Sequence, residues 1–97
     1  MKNGLLINFS GHPLSPEAIE NLSQYYEEIV QAKPINFDFG GPIEEQLEAL
    51  ISGLRCSIDG TRHITVIPPG QSTLSILLVT YMHGLMGHFP AICYLVS

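Results

Sequence analysis

The sequence predicts an α/β domain, with a four-stranded, mainly parallel sheet in the order 2-1-3-4 and three helices packed on it in three layers. Three observations lead there. Short apolar runs alternate with helical patterns three times, and a further apolar run closes the chain. Such alternation builds parallel sheets through right-handed crossovers. Two of the runs, Leu5 to Phe9 and His63 to Ile67, each end in a polar loop that leads into a helix start. The length of 97 residues, 45% of them hydrophobic and 13% charged, supplies one modest core. Residues 1–97 therefore read as a single domain, without repeats, linkers or low-complexity segments.

The first strand, Leu5 to Phe9, is apolar on both faces except for Asn8, as suits a central strand covered by helices on both sides. The first helix starts at Ser15 as N-cap, Pro16 at the first helical position and Glu17 at the positive dipole end. Ile19, Leu22, Tyr25 or Tyr26, and Ile29 recur at helical steps, so the helix is expected to run on until Pro34 stops it. Ile35 to Phe39 alternates apolar and polar and reads as a second strand at the sheet edge. Gly40-Gly41-Pro42 turns the chain into a second helix, about Ile43 to Leu54, with Glu44 and Glu45 in its first turn. Gly60 marks a turn before the third strand, His63 to Ile67. The third helix is expected to be capped by Ser72 or Thr73 and to reach Met86. Its apolar residues cover most of the circumference, so burial on more than one side is expected. Strand four is placed at Ala91 to Val96.

In this winding the direction of the chain reverses between the first and third strands. Their carboxyl-terminal loops then flank one crevice, where open α/β sheets bind ligands. Those loops supply Asn8, Ser10, His12, Gln71, Ser72 and Thr73, together with backbone N–H groups expected to be free. A cradle of that kind suits a phosphate or an adenine edge. The plainer expectation for single residues is that Ser15 and Ser72 cap helices and Asn8 satisfies a backbone group.

Charge excludes several classes. The net charge is −5 and the four cations are Lys2, Lys33, Arg55 and Arg62, with no basic stripe for a long nucleic acid. No cation stands in or beside either loop. Phosphoryl chemistry would lack its usual charge clamp, and any catalysis should be slow. Candidates for it are His12 and His88 as acid or base, and Ser10 as nucleophile. No acidic residue is placed by sequence to orient His12. His83 and His88 are not at the i, i+4 step of a helix-borne zinc pair, so no metal and no cofactor are expected. Cys56 and Cys93 read as two reduced thiols. Ile64 to Ser97 is nearly uncharged but is broken by Pro68, Pro69, Gly70, Gly84, Gly87 and Pro90, against a membrane span. With no export signal, a cytoplasmic protein is expected. So few charges leave apolar surface to be covered by a second copy, and a homodimer is the expected assembly, the third helix its expected seam.

Three strings resemble one family. They are Asn8-Phe9-Ser10-Gly11-His12-Pro13-Leu14, Phe37-Asp38 with the helix from Pro42 to Leu50, and Pro68-Pro69-Gly70 through His83-Gly84-Leu85-Met86-Gly87-His88-Phe89-Pro90-Ala91-Ile92. Together they resemble the small, stand-alone Csx-type CRISPR-associated proteins of type III systems. Gly11 departs from that pattern, standing between Ser10 and His12 where Ser-His-Pro would run directly. The resemblance implies a reduced Rossmann-like, CARF-like sensor domain that binds cyclic oligoadenylate, the tetra-adenylate first, and either sequesters or cleaves it. The ligand-contacting residues it implies are Ser10, Gly11, His12 and Pro13 in one loop, and Pro68, Pro69, Gly70, Gln71, Ser72 and Thr73 in the other; Asn8 and Phe9, at the end of the first strand, complete the candidate set. A ring held between two copies fits the expected dimer. His83, Met86, Gly87, His88 and Phe89 are candidate contacts to a second subunit, at the opposite edge of the sheet. A head-to-tail contact there would not close and would build ligand-driven filaments. Their plainer role is a helix stop. Three functions stand side by side: sequestration of the ring, metal-independent ring cleavage, and an interaction subunit without a small ligand.

Overall fold

A computed structural model describes residues 3–32, 36–54, 58 and 60–93. Its elements are β1 (Asn3–Asn8), α1 (Pro16–Leu22), β2 (Tyr26–Gln31), α2 (Ile43–Ser52), β3 (Ile64–Ile67), α3 (Ser72–Met86) and β4 (Ala91–Ile92). The four strands form one parallel sheet in the order β2-β1-β3-β4. This is the Rossmann-like α/β arrangement with three helices.

Period-two alternation along β1 divides the core. Leu5, Ile7 and Phe9 face Leu47 of α2 and Leu74, Leu78, Met82 and Met86 of α3. Leu6 faces the other way, into a smaller cluster with Leu14 and Ile67, against which Ala18, Ile19 and Leu22 pack. Thus α1 covers one face, and α2 and α3 cover the other. Burial of these side chains contributes about 1.5–3 kcal/mol each. β3 is buried along its whole length, as expected of an interior parallel strand.

The sheet order agrees with expectation, but strand two is a different segment. Tyr26 to Gln31, expected as the second half of the first helix, pairs with β1 in register from Asn3↔Tyr26 to Asn8↔Gln31. The helix ends at Leu22. Ser23 closes it: its N–H donates to the carbonyls of Asn21 and Ile19, and its hydroxyl to that of Ile19 at 2.6 Å. Tyr25, Tyr26, Ile29 and Val30 are aromatic and β-branched, types that favour strands, and β1 needs a partner on that edge. The misleading period is real, because Tyr26 and Ile29 join the same cluster as Ile19 and Leu22. Of the segment expected as strand two, Ile35 lies outside the described residues and 36–38 is irregular. There the Gln46 amide grips the Asp38 backbone at 2.8 Å on both sides, and Phe37 packs on the core.

Smaller differences follow. Ser15 caps α1 as expected, its Oγ accepting from the Ala18 N–H. The cap of α3 is Gln71 rather than Ser72 or Thr73; its Oε1 accepts from the Leu74 N–H at 2.7 Å. α2 ends at Ser52, before Leu54. α3 buries one side within this chain and leaves Ile76 67% exposed. β4 extends over Ala91–Ile92; Cys93, expected within the strand, stands outside it, and the rest of the expected continuation to Val96 falls outside the described residues. No helix among the described residues is long and apolar enough to cross a membrane.

Candidate functional site

β1 and β3 end side by side, Asn8 opposite Ile67, and the chain leaves both at the carboxyl edge. Between the two loops lies a cleft of about 720 Å³. Ser10, His12, Pro13, Leu14, Ser15 and Ala18 line one wall; Ile67, Pro68, Pro69, Gly70, Ser72, Ser75 and Cys93 line the other. No Asp, Glu, Lys or Arg is among them. Among the described residues the lining carries no formally charged side chain.

The first loop is built around Asn8, which is 2% exposed. Its Nδ2 donates to the His12 carbonyl at 2.8 Å, and its Oδ1 accepts from the Ser10 N–H at 3.0 Å and the Ser10 hydroxyl at 2.6 Å. The same hydroxyl accepts from the His12 N–H at 3.2 Å. Gly11 makes this small ring of bonds possible. Its φ of +83° lies in the left-handed region that glycine adopts without strain. The Leu14 N–H donates to Oε1 of Gln31, at the end of β2, at 2.8 Å.

These bonds change the chemistry expected of the loop. The N–H groups of Ser10, His12 and Leu14 are held by side chains of this chain, and Pro13 has none. The loop is therefore not the open set of backbone donors that the sequence predicts. Ser10 is poorly disposed as a nucleophile, because its hydroxyl donates to the Asn8 side-chain oxygen Oδ1, an amide oxygen that is no general base. The His12 ring is exposed at the cleft and has no hydrogen-bond partner among the described residues. On the facing wall the balance is opposite. The N–H groups of Gly70 and Ser72, which line it, and of Gln71 and Thr73 beside them have no acceptor among the described residues. Only at Leu74 and Ser75 do the donors find Gln71. The Ser75 hydroxyl donates to the Pro69 carbonyl at 2.8 Å and pins that wall.

Of the residues expected at a ligand, Ser10, His12, Pro13, Pro68, Pro69, Gly70 and Ser72 line the cleft. Asn8 supports the loop from beneath. Phe9 is buried against the α2 and α3 face. Gly11, Gln71 and Thr73 are not part of the lining; Gln71 serves as the helix cap. Leu14, Ser15, Ala18, Ile67, Ser75, Cys93 and the brace Gln31 are additions to the expected set. The i, i+3 step from Ser72 points to Ser75, whereas Gln31 and Cys93 arrive only through sheet pairing.

His83, Met86, Gly87, His88 and Phe89 lie at the amino-terminal edge of the parallel sheet, away from the cleft. Gly87 closes α3 in the left-handed region, φ +82°, its N–H donating to the His83 carbonyl. The rings of His83 and Phe89 stand 4.2 Å apart, and Phe89 is 61% exposed. Met86 is buried in the core. The structure thus separates His88 from His12 and Ser10.

Arg62 is paired with Glu28 at 3.1 Å; Lys2, Lys33 and Arg55 lie outside the described residues. Cys93 is a free thiol, and Cys56 lies outside the described residues. Among the described residues no group of three or more His, Cys, Asp or Glu could hold a metal ion. Comparison of the chain with protein-family models, with curated proteins and with solved structures finds no match.

Proposed function

We propose that this chain binds a cyclic oligoadenylate, the tetra-adenylate first, and sequesters it. It thereby lowers the free messenger and damps a type III CRISPR response in the cytoplasm. The observation that carries the reading is the neutral cleft at the sheet's switch point. One wall offers backbone N–H groups for a phosphate oxygen. The other offers an imidazole beside Pro13 and Leu14, a surface suited to a base. The identity of the ligand as an adenylate ring rests on the resemblance of the three sequence strings.

Size supports a shared site. A cleft of about 720 Å³ falls within the range of about 300–1,000 Å³ typical of small-ligand pockets. A ring of four nucleotides outgrows it. One copy then takes part of the ring and a second copy takes the rest, as a homodimer or a ligand-driven filament. The exposed Ile76, Leu85, Phe89 and Ile92 supply uncharged surface for such an assembly.

Ring cleavage without a metal is the second reading, and one observation favours it: the His12 imidazole is free at the cleft and could take or give a proton. Against it stand the occupied Ser10 hydroxyl and a lining without a cation to hold developing negative charge.

Cys93 offers a direct test because it lines the cleft. Saturating cyclic tetra-adenylate should slow its alkylation at least about fivefold, read by peptide mass so that Cys56 is scored separately. An unchanged rate at Cys93 overturns the proposal.

A further inference from the structure

Gln31 is an exposed residue on an edge strand, a position that asks only for a solvated side chain. Backbone pairing already holds the strand there. Asn8 is in register with Gln31, and the Ala32 N–H donates to the Asn8 carbonyl at 3.0 Å. Yet the Gln31 Oε1 reaches across the chain and takes the Leu14 N–H at 2.8 Å. That bond has a geometric consequence. His12 is held at its carbonyl by Asn8, and Leu14 at its N–H by Gln31, with only Pro13 between them. Proline fixes its own φ near −65° and restricts the residue before it. The two side-chain bonds therefore clamp a stiff dipeptide that carries the loop's one free imidazole.

We infer that Gln31 is a positioning residue of the cleft: by holding Leu14 it sets where the His12 ring stands. The inference rests on the reading of the cleft as a ligand site, and it adds a third element, β2, to a site otherwise built from the ends of β1 and β3. Releasing Gln31 leaves the fold intact, because Leu14 stays anchored by its buried side chain with Leu6 and Ile67. What changes is the freedom of His12 and Pro13 above that anchor.

The test compares Gln31→Leu, which lacks the acceptor, with Gln31→Glu, whose carboxylate can take the same N–H. Two readouts use the ligand-free protein: exchange of the Leu14 amide proton and the NMR shift of the His12 ring. A third is titration with adenosine, an uncharged probe that is blind to the charge the carboxylate adds. Gln31→Leu should speed Leu14 exchange roughly tenfold, the worth of one hydrogen bond, move the His12 signal and weaken adenosine binding about fivefold. Gln31→Glu should restore all three. Leu47→Val, which loosens the core on the opposite face, controls for lost stability and should leave the His12 signal in place. An unmoved His12 signal in Gln31→Leu overturns the inference, as does an equal movement in Leu47→Val. If the wild-type chain binds neither adenosine nor cyclic tetra-adenylate, the proposed function falls, while the two ligand-free readouts still decide the role of Gln31.

Discussion

Replacing Asn8 with alanine should unfasten the first loop, and the cost can be worked from its bonds. The side chain makes three of them, with the Ser10 N–H, the Ser10 hydroxyl and the His12 carbonyl. The hydroxyl is the least affected, because it can turn to the His12 carbonyl at 3.2 Å. The Ser10 N–H loses its acceptor, and the His12 carbonyl exchanges an amide donor for a weaker hydroxyl contact. Each group left short in a partly buried setting costs about 1 kcal/mol, the low end of the usual range. The small void left at a residue 2% exposed adds to this. The sum is roughly 2–3 kcal/mol, against a total stability of about 5–15 kcal/mol. For a chain of this size that lowers the melting temperature by about 8–24 °C. Ser10→Ala removes only the hydroxyl, from a partly exposed position, and should cost about 0.5–1 kcal/mol. Thermal and urea unfolding followed by circular dichroism measure both. If Asn8→Ala proves no more destabilising than Ser10→Ala, Asn8 does not hold the loop.

Two glycines with nearly the same positive φ should respond differently. Gly11→Ala meets open space and should cost only the left-handed backbone penalty, about 1–2 kcal/mol. Gly60→Ala adds a Cβ 2.5 Å from the Met86 carbonyl oxygen and should cost at least about 2 kcal/mol more, read by urea midpoints. Arg62→Ala breaks exposed pairings with Glu28 and Glu27; the change in stability should stay below about 1 kcal/mol and shrink further in high salt. The proposed homodimer predicts that Ile76→Asp, which places a charge on the exposed face of α3, lowers the mass in light scattering from dimer to monomer; an unchanged mass removes α3 from the proposed seam.

What the sequence made legible follows from how local each signal is. Ser15-Pro16-Glu17 and Pro68-Pro69-Gly70 act within a few residues, so the start of α1 and the two loops were readable, whereas the cap of α3 falls on Gln71 instead of Ser72 or Thr73. The sheet order was readable too, because it depends on alternation and handedness rather than on exact boundaries. Tyr26 to Gln31 was not. Its apolar spacing suits a helix face and a strand edge alike, and only the open flank of β1 decides between them. Phe9 shows a signal that period two contains: Leu5, Ile7 and Phe9 share a face, which sends Phe9 into the core. Gln31 and Cys93 have no local sign of their place at the cleft. Each arrives through pairing with a strand far away in the chain.

The cleft is proposed to hold a cyclic adenylate and to leave it whole. The most direct measurement incubates excess protein with labelled cyclic tetra-adenylate in the presence of a chelator, then separates bound from free label and intact ring from linear product. Sequestration predicts label retained by the protein and recovered as the intact ring. Linear products would contradict sequestration and establish cleavage instead. Label that is not retained, and remains intact, would contradict both readings of the cleft.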